Sequence, residues 1–194
     1  TTFRCTLECP SCMRADYKRK NMKILGRDMP LKDFYKIASY FKRVQFCGQI
    51  SDPIFHPNFI KMLKYCYDND IKCLVNNAAS QRKKEWYIRA FEANKNAKWI
   101  FGIDGLPKDS HKYRIHQDGR HLFEMMKIGA NMGIDVSWQY IVFNYNENDI
   151  ETARKMAKAH NIYFKLTYSG RWTETMMSYK PKNPKYYLNA LRKI

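Results

Sequence analysis

Three cysteines near the start of the chain have the type and the spacing to hold an inorganic cluster. Cys5, Cys9 and Cys12 form a CxxxCxxC pattern, and no fourth cysteine follows closely. Thiolates on one tight loop can bind three irons of a cubane 4Fe–4S cluster, which leaves the fourth iron open to another ligand. A protein that only carries electrons usually supplies four cysteines, so the open iron indicates that a further molecule binds there.

Two other uses of these cysteines compete with the cluster. A structural zinc site needs four Cys or His ligands, and the nearest histidine, His56, lies far along the chain. A disulfide scaffold is typical of small, cysteine-dense chains, whereas this chain has six cysteines in 194 residues. We therefore favour the cluster, and the free thiols beside it predict a reducing, cytoplasmic location.

Length and composition predict a single domain over residues 1–194. Hydrophobic residues make up 45% of the chain, which is enough for a large core. No stretch approaches the roughly 18 apolar residues that a membrane-spanning helix needs, so we expect no membrane partner. Residues 169–194 are polar and irregular, and a C-terminal helix is predicted from Tyr186.

The net charge of +17 allows a nucleic acid as a partner. The alternative is that lysines coat the solvated faces of helices, as the scattered Lys61, Lys64, Lys155 and Lys158 indicate. The sequence shows no concentrated basic patch with interleaved aromatic residues, which a nucleic-acid surface typically has. The charge alone therefore leaves the partner open.

The elements that must position the cysteines alternate between strands and helices. Short β-branched or aromatic runs predict strands, and amphipathic stretches between them predict helices. The predicted strands are residues 2–4, 44–47, 71–75, 99–103, 136–143 and 162–167. Such alternation predicts the α/β class, with parallel strands in a partial (β/α)6 TIM-like barrel. Ligands of these folds gather at the carboxyl ends of the strands, where the cysteine loop would lie.

With these elements in place, the sequence resembles the radical S-adenosylmethionine (SAM) superfamily. The family's second-strand segment, usually GGEPLLHP, is similar to residues 46–57, FCGQISDPIFHP. Its third-strand TNG resembles residues 75–78, VNNA, and its fourth-strand SLDG resembles residues 102–105, GIDG. Residues 111–114, HKYR, resemble the segment that carries an arginine in contact with SAM. The similarity is greatest to the peptide-modifying and molybdenum-cofactor-biosynthesis-like branch.

The resemblance implies an enzyme with a 4Fe–4S cluster and SAM as cofactors. In such enzymes the cluster reductively cleaves SAM, and the resulting 5′-deoxyadenosyl radical abstracts hydrogen from a substrate. A peptide or a small molecule is the substrate that this branch implies, and an electron donor such as flavodoxin or ferredoxin would be a partner. A nucleotide or RNA substrate is the alternative enzyme. A non-catalytic iron–sulfur or metal-binding module is the alternative from another class.

The matched positions acquire roles from the resemblance. Asp52 would accept hydrogen bonds from the SAM ammonium, and Arg114 would pair with its carboxylate. Asn76 and Asp104 would hold ribose hydroxyls or the carboxylate. Each of these residues has a structural alternative, as a turn residue or, for Arg114, as a surface arginine. The complete set of expected cofactor contacts is Gly48, Ser51, Asp52, Asn76, Asp104 and Arg114, with Cys5, Cys9 and Cys12 as iron ligands.

Several positions depart from the family pattern. Ser51 stands where the family has Gly, and Asp52 stands where it has Glu. Gly102 replaces Ser, Asn76 replaces Thr, and Ser11 replaces an aromatic residue. None of these changes touches the iron ligands, so they indicate a divergent branch.

The remaining cysteines are predicted to be core residues. Cys66 lies on an apolar helix face, Cys73 lies in a strand, and Cys47 is read as a small core residue at a strand end. The alternative for Cys47 is a thiol that faces the substrate. No cysteine follows Cys73, so this stretch encodes no auxiliary clusters.

Overall fold

Five parallel strands form one sheet whose order in space follows their order in the chain. The structure is a computed structural model that describes residues 1–48 and 50–187. The strands are β1 (Arg43–Phe46), β2 (Lys72–Asn77), β3 (Lys98–Gly102), β4 (Val136–Ile141) and β5 (Tyr163–Thr167). Every consecutive pair is joined by parallel hydrogen bonding.

Helices separate the strands. They are α1 (Met13–Arg19), α2 (Leu31–Ala38), α3 (Phe59–Asp68), α4 (Lys84–Ala93), α5 (Gly119–Asn131) and α6 (Ile150–Ala159). Short 3-10 turns occur at Pro53–Phe55, Ser110–Lys112 and Glu174–Tyr179. In the part of the chain that the structure describes, no helix has both the length and the apolar composition needed to span a membrane.

The α/β class and the partial TIM-like barrel are confirmed, with five strands where six were predicted. Residues 2–4 form no strand. The backbone there bonds to two separate segments, since Thr1 O accepts from Met29 N and Arg4 O accepts from Asp52 N, both at 2.9 Å. A ladder needs one continuous partner, so the segment ties the cysteine loop to its neighbours instead of extending the sheet.

The C-terminal prediction falls partly outside the described residues. Most of the helix predicted from Tyr186 lies on residues 188–194, which the structure does not describe. Within residues 169–187 the described elements are the turn at Glu174–Tyr179 and helical residues 185–187. The assignment of residues 1–194 to one domain stays a prediction.

The two faces of the sheet differ in burial. The face toward the helices is buried in the central strands and rich in large aromatic residues, as Trp99, Phe101 and Trp138 show. The opposite face carries the polar side chains of Gln45 and Gln139, which remain partly or fully exposed. Parallel sheets are usually covered on both faces. The face that carries Gln45 and Gln139, called the inner face below, therefore leaves room for a ligand beside the carboxyl ends of the strands.

A buried tyrosine fixes the chain where β2 ends. Tyr87 of α4 is 0% exposed, and its hydroxyl lies 2.8 Å from Asn77 Oδ1 and 3.2 Å from Ala79 O. Asn77 Nδ2 donates to Ala79 O at 2.8 Å. These bonds hold the polar turn after β2 inside an apolar core, where unpaired polar groups would be costly.

Replacing Tyr87 by Phe should lower the free energy of unfolding by about 1–2 kcal/mol, because Asn77 Oδ1 loses its buried donor. Urea denaturation followed by circular dichroism measures the change. The matched control is Tyr163→Phe, since Tyr163 is 68% exposed. It should cost less than about 0.5 kcal/mol. Equal losses of unfolding free energy in the two variants would contradict a stabilising hydrogen bond from the Tyr87 hydroxyl to Asn77.

Candidate active site

A cavity of about 670 Å³ opens at the carboxyl ends of the strands. Eight of the nine residues predicted to bind iron or SAM line it, namely Cys5, Cys9, Cys12, Gly48, Ser51, Asp52, Asn76 and Arg114. The ninth, Asp104, is fully buried behind the wall and contacts Arg114. The fold thus brings together residues that are up to 109 positions apart between Cys5 and Arg114.

The cysteine loop lines this cavity with Cys5, Cys9 and Cys12, none of which forms a disulfide. Cys12 N donates to Cys9 O at 3.0 Å, which closes a turn, and Cys12 is the N-cap of α1. Glu8 N donates to Ile115 O at 3.2 Å and joins the loop to the segment that carries Arg114. These backbone bonds fix the loop at the edge of the cavity.

The environment of the thiols is suited to a metal cluster. Burial raises the pKa of Cys5 to about 11, although Leu7 N donates to its Sγ at 3.4 Å. Burial also raises the pKa of Cys9, against the opposing charge of Arg114. Iron ligands must be thiolates, so a bound cluster would supply the positive charge that keeps these groups ionised. The donor set fits the group that the spacing predicts.

A site for a single metal ion makes a different geometric demand from a site for a multi-iron cluster. Within residues 1–48 and 50–187, no three His, Cys, Asp or Glu side chains converge on one metal ion. A cubane does not require such convergence, because each cysteine binds a different iron.

Asp52 has a structural role. Its Oδ2 accepts from Ala78 N at 2.7 Å and from Ala79 N at 2.8 Å, and its Oδ1 accepts from Ile54 N at 3.2 Å. The carboxylate therefore clamps the loop after β1 to the end of β2. Burial raises its pKa to about 6, and the three N–H groups act in the opposite direction. Its contact with the SAM ammonium stays a prediction.

Gly48 has a steric role in the backbone, apart from any contact with a ligand. A Cβ at this position would coincide with the carbonyl of Ser51. Gly48 lies so close to Ser51 that there is no room for a side chain at position 48. Both residues line the cavity, so this turn forms part of its wall.

Arg114 is a buried cation, not a surface arginine. Its side chain is 13% exposed, and its Nε lies 2.8 Å from Oδ2 of the fully buried Asp104. The N–H is not aimed along this line, so the contact is an ion pair without an aligned hydrogen bond. Asp104 Oδ1 accepts from Ile141 N at 2.8 Å. Burial raises the pKa of Asp104, and the charge of Arg114 opposes that shift.

The structure explains why glycine replaces serine at position 102. A Cβ on Gly102 would lie 2.8 Å from Nη2 of Arg114 and 3.1 Å from its Cζ. The guanidinium occupies the space that a side chain at this position would take. The guanidinium of Arg114 therefore lies in a notch at the end of β3.

Two glutamines of the site were missed by the sequence reasoning. Gln117 Nε2 donates to Gly102 O at 2.9 Å and to Ala78 O at 2.5 Å, which joins the ends of β2 and β3. Gln139 lines the cavity from β4. The alternation of polar and buried residues along β4 could have indicated Gln139, whereas nothing in the sequence marks Gln117.

The prediction for Cys47 is wrong. The residue is exposed and lines the cavity, because β1 ends at Phe46 and the chain then turns toward the inner face. Cys66 and Cys73 are buried, as predicted.

Asn76 presents an unused donor at the inner face. It lies in β2 and lines the cavity, and its Nδ2 has no hydrogen-bond partner among the described residues. A buried amide N–H normally has a partner. Its ligand contact stays a prediction, and this orphan donor supports it.

The segment after β5 covers one side of the cavity. Met176 is buried against Tyr113 and Phe143, whose rings are 4.3 Å apart between centroids. Arg171 lines the cavity from the same segment. The polar, irregular stretch after β5 therefore forms part of the cavity wall.

Comparisons with known proteins identify the fold. No family model and no curated protein matches the chain. Among solved structures, Streptococcus suis SuiB bound to S-adenosylmethionine aligns with a TM-score of 0.74 at 17% identity, over 99% of this chain and 44% of SuiB. A domain of pyruvate-formate lyase-activating enzyme from Bacteroides vulgatus ATCC 8482 aligns with a TM-score of 0.55 at 15% identity, over 77% of this chain and 90% of that domain.

TYW1 with a lysine-pyruvate adduct bound aligns with a TM-score of 0.58 at 11% identity, over 90% of this chain and 65% of TYW1. The fold that the sequence resemblance implies, that of the radical SAM superfamily, is confirmed. The chain spans less than half the length of the SuiB chain that it matches.

Gly102→Ala should displace the Arg114 guanidinium and lower the free energy of unfolding by about 1–3 kcal/mol. The same change in an Arg114→Ala background should cost at least about 1 kcal/mol less, since the notch is then empty. Denaturant unfolding of the four proteins measures this coupling. As a control, Gly102→Ala should be additive with Arg154→Ala on the exposed face of α6. If Gly102→Ala were additive with Arg114→Ala as well as with Arg154→Ala, the contact between position 102 and Arg114 would be contradicted.

Stability should also depend on the ionisation of Asp52. Its pKa rises from 3.8 to about 6 on folding, so the folded state holds the proton more tightly. This contribution is complete below pH about 4 and is lost as the pH rises through about 6. The unfolding free energy of the native protein should therefore fall relative to Asp52→Asn across this range. If the difference in unfolding free energy between the native protein and Asp52→Asn did not vary with pH, the raised pKa of Asp52 would be contradicted.

Proposed function

We propose that this chain is a radical SAM enzyme, in which a 4Fe–4S cluster and SAM occupy the cavity at the carboxyl ends of the strands. One observation carries the proposal. Three cysteines with the spacing of a three-iron ligand set line the same cavity as a buried cation, Arg114. Neither feature alone distinguishes an enzyme from a metal-binding module, whereas the two together fit a cluster with a charged organic ligand.

Cys5, Cys9 and Cys12 would hold three irons. When bound, the cluster would supply the electron that cleaves SAM to methionine and a 5′-deoxyadenosyl radical, which abstracts hydrogen from the substrate. Binding as thiolates costs these residues their protons, and burial makes the ionised form unfavourable without the metal.

Arg114 would orient SAM by pairing with its carboxylate through a charge-assisted contact. Asp104 holds the guanidinium from behind and keeps the pair electrically balanced inside the protein. Asn76 would donate from β2 to a ribose hydroxyl or to the carboxylate, using its orphan N–H. Asp52 would accept from the ammonium with lone pairs that its three backbone bonds leave free. Gly48 and Ser51 shape the adjoining wall.

The substrate we propose is a peptide or a small molecule. SuiB has a structure bound to its precursor peptide SuiA, which aligns with a TM-score of 0.72 at 18% identity. The cavity wall offers hydrogen-bonding side chains at Gln45 and Gln139 and a cation at Arg171. A wall of this kind can form hydrogen bonds with the backbone of a bound peptide. The net charge is the only feature that favours a nucleotide or RNA.

The reaction needs a source of single electrons. We propose a carrier such as flavodoxin or ferredoxin as the partner, in a reducing cytoplasm that keeps the six cysteines out of disulfides.

Anaerobic reconstitution tests the cofactor assignment. The protein should bind about four irons, as a cubane requires. The electron paramagnetic resonance signal of the reduced protein should change when SAM is added. Iron binding without any response to SAM would leave a metal-binding module and exclude the enzyme.

Cys9→Ala should lose most of the iron and all formation of 5′-deoxyadenosine under dithionite, because one of the three iron ligands is gone. Iron content and nucleoside chromatography give independent readouts. Cys47→Ala is the matched control, since Cys47 lines the same cavity outside the ligand pattern. It should retain its iron. Retained activity in Cys9→Ala would refute the ligand assignment.

A further inference from the structure

A groove lies on the outer side of the cysteine loop, between that loop and α1. Its volume is about 890 Å³. Cys5 and Leu7 line both this groove and the cavity on the inner side. The loop is therefore a thin wall, and an iron ligand can be approached from outside without entering the cavity. We call this surface the α1 groove. It is lined by residues 5–8, Pro10, the α1 residues Arg14, Ala15, Lys18 and Arg19, residues 21–24 and Ile115.

α1 packs weakly on the rest of the protein. None of its residues, Met13–Arg19, is buried in the described part of the chain. It is held by Arg14, which donates to Phe3 O at 2.7 Å and to Ile50 O at 3.0 Å, and by Lys18, which pairs with Glu8 at 2.6 Å. Helices of soluble domains normally bury one face. A helix this exposed has a face available to a partner.

The α1 groove and its flank combine cations with exposed apolar side chains. Residues 14–27 contain six cations and one carboxylate: Arg14, Lys18, Arg19, Lys20, Lys23, Arg27 and Asp16. Met22 is 54% exposed and Leu25 is 75% exposed beside them. Apolar contacts with a charged rim are typical of protein interfaces. The sign of the charge selects an acidic partner.

We propose that the α1 groove docks an acidic protein that carries single electrons. This inference rests on the proposed function, since only a redox cluster behind Cys5 gives such a carrier a reason to dock there. The carrier would be oxidised by one electron and the cluster reduced by one. No bond and no proton needs to move. Docking outside leaves the cavity free for SAM and the substrate at the moment of transfer.

Charge reversal on the rim tests the surface. Lys20 and Lys23 are exposed, and neither pairs with a carboxylate in the part of the chain that the structure describes. Lys20→Glu/Lys23→Glu therefore breaks no internal ion pair. Lys155→Glu/Lys158→Glu on α6 changes the net charge equally and lies on exposed positions of the helix layer. The probe is a reduced acidic flavodoxin.

Stopped-flow measurement of cluster reduction by the flavodoxin should show a rate constant at least about tenfold lower for the groove variant at low ionic strength. The α6 variant should stay within about twofold of the native protein. Reduction by dithionite, which needs no docking surface, should be the same in all three. Equal losses in the two variants, or no loss in the groove variant, would overturn the proposal.

A direct titration separates this proposal from the proposed function. The affinity of the purified chain for flavodoxin can be measured whether or not iron is bound. Weaker binding of the groove variant alone, in a protein that takes up no cluster, would support the docking surface and refute the enzyme. If a protein that has taken up its cluster bound flavodoxin equally well with and without the groove substitutions, the docking surface would be refuted and the proposed function would stand. Loss of affinity for a single-stranded RNA, with flavodoxin binding intact, would assign the groove to nucleic acid and overturn the proposal.

Discussion

A charge cannot be buried alone, and the site is arranged around that constraint. Arg114 is carried into the interior by the segment after β3, and Asp104 must accompany it. Asp104 in turn takes the backbone N–H of Ile141 and so fixes the end of β4. Gly102 provides the space in which the guanidinium lies. One ion pair thus determines the residue at the end of β3 and the course of the chain at the end of β4.

The same edge of the sheet is held by side chains that bind backbone. Asp52 joins the loop after β1 to the end of β2, and Gln117 joins the ends of β2 and β3. Parallel strands leave their last carbonyl and amide groups without partners, so these polar side chains complete the hydrogen bonding. These bonds make the carboxyl edge rigid, and Asn76 and Arg114 line the cavity from that edge.

Periodicity predicted the class of the fold because strands and helices repeat regularly along this chain. It placed a sixth strand on residues 2–4, since a short run with extended propensity does not reveal whether a partner strand is present. The cysteine spacing and the matched segments pointed to the cavity, because polar residues after parallel strands share one edge. Gln117, the exposure of Cys47 and the space at Gly102 depend on contacts between distant segments. No local pattern could have indicated them.

The notch at Gly102 has a consequence for how such a site can change over time. A side chain at position 102 would displace the Arg114 guanidinium, and loss of Arg114 would leave the buried Asp104 without its cation. A substitution at one of the three positions therefore lowers stability by an amount that depends on the residues at the other two. The three positions form an epistatic unit, and in an alignment of close relatives they should vary together or not at all.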